Sequence, residues 1–373
     1  MIKFVTSGES HGKCLITVLE GIPAGLTLSV EHIDQELFRR QQGYGRGGRM
    51  SIEKDTAEIV SGVRTGKTTG APITLIINNK DWVNWKDRKL PPITMPRPGH
   101  ADLAGVLKYG LKDIRDVLER ASARETAARV AAGAVCRKLL KEFGLEIFGY
   151  VTEVAGITAV PSKLNQRAAI NRSLLMTADK KAENAMIKEI ERAKRNGDSV
   201  GGVFELKAIN VPPGLGSYVS WSSRLDARLA CGLMGLQAIK GVEIGLGFEA
   251  AKRFGSRVHD EIFYGKKRFY RKTNNCGGIE GGMSNGETLI IRAAMKPIAT
   301  ISSPLKSVDL GTKKAVKAAV ERADICAVPA ACVTGEAIVA FELANAFTDK
   351  FGGDCLMDVS SSYKAYIKRV RNT

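Results

Sequence analysis

Paired cysteines, aromatic side chains and long apolar runs are all scarce here. Seven cysteines, at positions 14, 136, 231, 276, 326, 332 and 355, form no C-x-x-C pair. An odd, scattered set argues for reduced thiols and against a zinc module, so no metal is expected. Residues 1–9 lack the apolar core of a signal peptide, and no run approaches the roughly 18 apolar residues that span a bilayer. A cytoplasmic location without membrane association is the resulting expectation. Aromatics make up only 6% of the chain, and most basic residues are dispersed along helical segments. Nucleic-acid binders cluster lysine and arginine with stacking aromatics, so no nucleic-acid partner is expected. The glycine-rich run 274–282 lacks the G-x-G-x-x-G arrangement following a strand and opening a helix, so it gives no ground for a dinucleotide-binding fold. No internal repeat is evident.

What is present is a globular composition with a strong charge. Of 373 residues, 44% are hydrophobic, ample for a real core in one large domain or a few smaller ones. The net charge of +17 calls for anionic partners, and the dispersed pattern favours small polyanionic ligands.

The chain is organised around residues 101–144. Leu103, Leu107, Leu111, Ile114 and Leu118 recur every three to four residues, as on one helix face, and Ala121, Ala128, Ala132, Val135 and Leu139 continue the stripe. Glu125 falls on that stripe, where a lone carboxylate is expensive to bury. Ser122 and Glu125 have capping-box spacing, so the helix is expected to break near Arg120–Ser122 and restart at Ser122. Free N–H groups there, flanked by Arg120 and Arg124, have the ingredients of a phosphate site. One long packing helix with a surface Glu–Arg network accounts for the same pattern.

Loops carry the other candidate chemistry. Two short strands, 2–6 and 15–19, flank Ser7-Gly8-Glu9-Ser10-His11-Gly12, where His11 suits a titrating side chain at a tight turn, although a histidine in a glycine-bounded loop is more often plain surface. A helix over 30–41, capped by Ser29, leads into a glycine- and arginine-rich loop holding Arg46 and Arg49, preceded by Arg39 and Arg40; guanidinium forks suit carboxylate or phosphate oxygens. Residues 79–99 read as a long surface loop of the kind that forms lids. It ends in Arg97-Pro98-Gly99-His100-Ala101-Asp102, which delivers a second histidine. His32 and His259 read as structural or solvated. Beyond a strand over 147–158, residues 164–196 read as a peripheral helical excursion. A strand near 204–210 and a helix bearing Leu225, Leu229, Leu233 and Leu236 precede Gln237-Ala238. The bare backbone of 274–282 can lie against a flat ring or a phosphate. A strand over 288–295 ends in Lys296-Pro297-Ile298-Ala299-Thr300, and Arg322-Ala323-Asp324 precedes a final helix around 336–345.

Together these loops resemble the chorismate synthase family over nearly the whole chain. The resemblance rests on Gly8 to Gly12, the Arg40 to Arg49 loop, Arg97 to Asp102, Glu119 to Gly133, Gly277 to Gly282, and Arg322-x-Asp324 with Glu336-Ala337 downstream. Ala323 stands where the family more often has Ser or His. The resemblance implies an α+β fold, a β-α-β sandwich of antiparallel sheets and helices forming a single large domain over 1–373, and a homotetramer. It implies phosphate elimination from 5-enolpyruvylshikimate 3-phosphate with reduced FMN. NADPH would be the direct or indirect reductant, with a separate flavin reductase possible since no reductase module is appended. His11, His100 and Asp324 would be catalytic, with His11 beside the reduced flavin, His100 near the departing phosphate and Asp324 near flavin N5. Arg40, Arg46, Arg49 and Arg97 would hold the substrate's anions. Arg120, Ala121, Ser122, Gln237, Ala238, Gly281, Lys296, Pro297, Ile298, Ala299, Thr300 and Arg322 would line the flavin.

Overall fold

The computed structural model describes residues 1–48, 53–88, 90–160, 166–265 and 268–372. Two antiparallel sheets face a layer of helices. The first comprises β1 (Lys3–Ser7), β2 (Cys14–Glu20), β3 (Ala57–Ser61) and β4 (Ile73–Asn78), in the spatial order β1-β2-β4-β3. The second comprises β5 (Glu146–Val154), β6 (Ile157–Thr158), β7 (Gly202–Ile209), β8 (Ile239–Ile244) and β9 (Leu289–Met295), ordered β8-β9-β7-β5-β6. Period-two patterning turns Leu15, Thr17 and Leu19 of one sheet, and Phe204, Leu206 and Ala208 of the other, into the core.

Between the sheets lie α1 (Val30–Gln41), α4 (Thr126–Lys141), α7 (Leu225–Met234) and α8 (Val328–Phe351). α4 packs on β2, α8 packs on β5 and β7, and the two helices pack on each other. Small side chains permit their close approach: a Cβ at Gly133 would stand 2.4 Å from Cβ of Ala337 and 2.6 Å from its Cα. The α8 helix is 24 residues long and apolar enough by composition to cross a membrane, yet 89% of its most apolar window is buried as the central core helix.

The region 101–144 does break at the expected place, and once more before it. α2 (Asp102–Tyr109) stops at Gly110, whose φ of +65° suits glycine, α3 (Ile114–Ala121) follows, and a 3₁₀ turn (Ala123–Glu125) leads into α4. The reciprocal capping box does not form. Ser122 accepts from the Arg124 N–H, while Glu125 turns to Thr6, Arg129 and Gln237. Thus Glu125 is buried but paired, which resolves the conflict on the stripe.

Three other expectations need correction. The strand over 147–158 is a hairpin of β5 and β6, turning at Ala155 (φ +51°) and Gly156 (φ +80°). The helix expected around 336–345 is the interior of α8, and α9 (Leu356–Asn372) follows it. Residues 164–196, described from Gln166 onward, contain α5 (Arg167–Arg172) and α6 (Lys180–Arg195) and are not peripheral. Leu175, Ala182, Met186 and Ile190 join the main core. The same segment grips the arginine loop: the Tyr44 hydroxyl donates to Glu191, its N–H donates to the Leu174 carbonyl, and Gly45 abuts Ile190.

Candidate active site

The break after α3 is the anchor of the site. Its last turn clasps the β1–β2 loop: the Ser10 N–H donates to the Glu119 carbonyl (3.0 Å), and Arg120 donates to the carbonyls of Thr6 (2.8 Å) and Gly8 (3.1 Å). Ala121 ends α3, and the Ser122 hydroxyl donates to that of Ser10 (3.1 Å). His11 is thereby carried to Glu119, whose two carboxylate oxygens accept from the His11 N–H (2.6 Å) and meet Nδ1 (2.7 Å). The indole of Trp85 stacks on the His11 ring, with centroids 3.9 Å apart and planes 26° apart. Trp85 comes from the predicted lid segment, held by donation from its Nε1 to the buried Asp81 (3.0 Å).

The arginines do different jobs. Arg124, expected beside an anion, is buried and turned inward, where it donates to Asp55 (2.6 Å) and Asn79 (2.9 Å). Asn79 in turn donates to the carbonyls of Glu9 and Gly12. Arg40 is also buried, donating to Thr126 (2.8 Å) and the Ala123 carbonyl (3.0 Å), with Asp55 3.6 Å away. Its Nη1 is buried without a hydrogen-bond partner. Burial pulls this guanidinium down to about 9; Asp55 opposes that, and Arg124 and Arg46 add to it. Asp55 is shared with Arg124, so Arg40 has one partial counter-charge and a buried Nη1 without a hydrogen bond, a group suited to meeting an anion.

Arg46 pairs with Asp324 (3.0 Å), whose other oxygen accepts from the Gly47 N–H (2.6 Å). Asp324 therefore rivets the glycine-rich loop, a link between distant segments that local sequence does not reveal. Arg49 lies outside the described residues. The guanidinium of Arg322 is two-thirds exposed, 3.9 Å from Asp81. Below it in sequence, Arg39 continues inward to the fully buried Glu336, which also takes Arg137 and the Gly149 N–H. Burial alone would raise the Glu336 carboxyl, but Arg39 and Arg137 hold it below the ordinary carboxylate value.

The second histidine forms a separate carboxylate pair. His100 Nδ1 lies 2.5 Å from Asp102, and Arg97 donates to both Asp102 oxygens and to Thr300 (2.7 Å). Burial would raise the Asp102 carboxyl, yet hydrogen bonds from His100 and Arg97 hold it well below the usual range. Expected as a substrate ligand, Arg97 is instead occupied in orienting Asp102 and His100. The segment after β9 closes this side. Lys296 Nζ donates to the Gly99 carbonyl, its N–H donates to Ala238 (2.9 Å), and Ser199 donates to the Ile298 carbonyl (2.6 Å); Pro297 lies between, and Ala299 abuts Gly99. Burial and then Lys240 lower the Lys296 pKa.

Gln237 joins the two sides by donating Nε2 to Glu125 (3.2 Å). Because the carboxylate can only accept, the amide is oriented with Oε1 facing away, and that oxygen is buried without a partner. Gly281 (φ +56°) has open space where a side chain would begin. It turns the short hairpin of Ile279–Glu280 and Met283–Ser284, whose contacts run to Gly216, Arg224 and Leu225 rather than to the other candidate residues. Sequence reasoning missed Glu119 and Trp85 as partners of His11. Their only signals were their places inside the motif around Arg120 and inside the long loop.

A family model described as chorismate synthase matches residues 2–348. A chorismate synthase of Desulforudis audaxviator (strain MP104C) is 56% identical over 385 aligned residues, spanning 100% of this chain and 98% of the relative. One from Aquifex aeolicus (strain VF5) is 52% identical, with the same coverage. A crystal structure of chorismate synthase superposes with a TM-score of 0.83 at 44% identity, covering 100% of this chain and 99% of that one. The chain belongs to the chorismate synthase family.

Proposed function

We propose that this loop cluster is the active site at which the chain eliminates phosphate from 5-enolpyruvylshikimate 3-phosphate to form chorismate, the last common step of aromatic amino-acid biosynthesis. The observation that carries the reading is the two carboxylate-paired histidines, His11 with Glu119 and His100 with Asp102, together with the basic side chains of Arg40, Arg46, Arg120, Lys296 and Arg322. Arg40 Nη1 and Gln237 Oε1 are buried without a hydrogen-bond partner. A substrate with two carboxylates and a phosphate requires such a basic enclosure, since each anion leaving water needs a paired donor.

The family uses reduced FMN, and these residues suit it. Gln237 Oε1 fits a ring N–H, and the exposed Arg322 fits a phosphate. When bound, reduced FMN would supply electron density transiently for phosphate departure, with no net oxidation. Arg120, Ala121, Ser122, Gln237, Ala238, Gly281, Lys296 to Thr300 and Arg322 are assigned to that cofactor. Arg40, Arg46 and Arg49 hold the substrate's anions. His11 holds a proton beside the flavin, and His100, oriented by Asp102, serves the departing phosphate. Arg97 acts through His100. Asp324 acts through Arg46 and Gly47 in keeping the arginine loop closed. The electrons come from NADPH, delivered directly or through a separate reductase.

A homotetramer is part of the reading, supported by exposed apolar side chains at Trp221, Phe248, Phe254 and Tyr264. The assignment of the flavin side is tested by fluorescence titration with FMN. Arg120→Ala and Lys296→Ala should each weaken binding by about tenfold or more, the scale of one charge-assisted contact. Unchanged affinity in both would remove this face from the cofactor site.

A further inference from the structure

Glu119 has no role in the assignments above, yet its carboxylate is used twice by one residue. Oε2 accepts from the His11 main-chain N–H (2.6 Å), and Oε1 lies 2.7 Å from His11 Nδ1. Its own carbonyl holds Ser10 N–H (3.0 Å), and the next residue, Arg120, clamps Thr6 and Gly8. The carboxylate is thus fixed against a loop that is itself fixed. An ionised carboxylate can only accept, so the ring nitrogen facing it must carry a proton. On the other face of the imidazole, Trp85 stacks at 3.9 Å and restrains rotation of the ring. Asp81 fixes the indole through Nε1.

We propose that Glu119 is a positioning residue that locks His11 in the Nδ1–H tautomer, so that Nε2 is the nitrogen that exchanges protons, with Trp85 holding the ring plane. This rests on the assignment of His11 to the reacting centre. The arrangement parallels that of His100 with Asp102 (2.5 Å), where the carboxylate also accepts from Arg97.

The substitution Glu119→Gln removes one acceptor oxygen and the negative charge. An amide has a single oxygen, and the His11 N–H, which can only donate, will take it. The –NH₂ then faces Nδ1, which must become an acceptor, and the proton moves to Nε2. With ¹⁵N-histidine labelling, the ring nitrogens of four histidines are observable, and His11 is assigned by loss of its signals in His11→Ala. At a pH where the ring is neutral, wild-type His11 should carry its proton on Nδ1, and the Glu119→Gln variant on Nε2. In the same variant kcat should fall by about 10²-fold or more, with substrate KM and FMN affinity unchanged, as for a misoriented acid–base group. A wild-type His11 protonated on Nε2 would overturn the proposal by itself, even were the variant to misfold. So would a variant that flips tautomer and turns over normally while His11→Ala is inactive. If His11→Ala is itself fully active, the catalytic assignment of His11 fails, and the tautomer spectra alone then decide whether Glu119 orients the ring.

Discussion

Replacing Glu336 by glutamine tests whether the buried ion cluster behind the arginine loop supports the fold. Glu336 Oε2 accepts from Arg39 (2.6 Å) and Arg137 (2.6 Å), and Oε1 accepts from Arg39 (2.8 Å) and the Gly149 N–H (2.7 Å). A glutamine oxygen can keep the Gly149 side, but its –NH₂ then faces two guanidinium donors. Two charge-assisted bonds are lost at roughly 1.5–3 kcal/mol each, and breaking a buried pair costs about 3–5 kcal/mol. Both arginines are about a quarter exposed, so water partly re-solvates them and the lower end applies, about 3 kcal/mol. The pH dependence has a definite sign. The folded-state pKa lies below the ordinary 4.5, so the contribution of Glu336 is complete above that value and lost as pH falls through the depressed one. Urea unfolding of both proteins should therefore show a gap of about 3 kcal/mol at pH 7 that narrows below about pH 4.5. A gap under ~1 kcal/mol at pH 7, or one that widens on acidification, would mean that the Glu336 cluster does not support the fold.

Three other outcomes are expected. Gly133→Ala should destabilise by about 2 kcal/mol in urea, because Ala337 backbone atoms lie 2.6 Å from the added Cβ and the clash outweighs the better helix propensity of alanine; a stabilised variant would mean that α4 and α8 separate freely. Asp324→Asn should raise substrate KM as well as lower kcat, because the Arg46 ion pair is lost; lower kcat at unchanged KM would instead put Asp324 at the reacting centre. His11→Ala and His100→Ala should each slow turnover by about 10²-fold or more while leaving circular dichroism unchanged, and near-normal turnover of either would remove that residue from the chemistry.

Local chemistry explains which features were legible in the sequence. The break at Arg120–Ser122 was readable because a carboxylate on an apolar stripe demanded it, and the two sheet strands around His11 were readable from alternation. The β5–β6 turn was not, because Ala155 adopts a positive φ without being glycine or asparagine. Nor was the full length of α8, since a helix buried on every side shows no stripe. The arginines were legible as anion-seeking groups, but not as to which anion each would meet. Arg124 finds Asp55 and Arg46 finds Asp324, both far along the chain. Spacing rules reach only neighbours on one element, and these pairs are made by the fold. The segment 164–196 misled for the same reason: its polar, Lys-rich outer face hid the inner row that holds Tyr44 and Gly45.

Anaerobic turnover of 5-enolpyruvylshikimate 3-phosphate, with and without pre-reduced FMN, following phosphate and chorismate together, distinguishes a redox-neutral elimination from any other reaction at this site. Equal amounts of the two products are expected over many turnovers, only with reduced FMN, and with no reductant consumed in proportion. Phosphate release without reduced flavin, or stoichiometric consumption of reductant per product, would rule that elimination out.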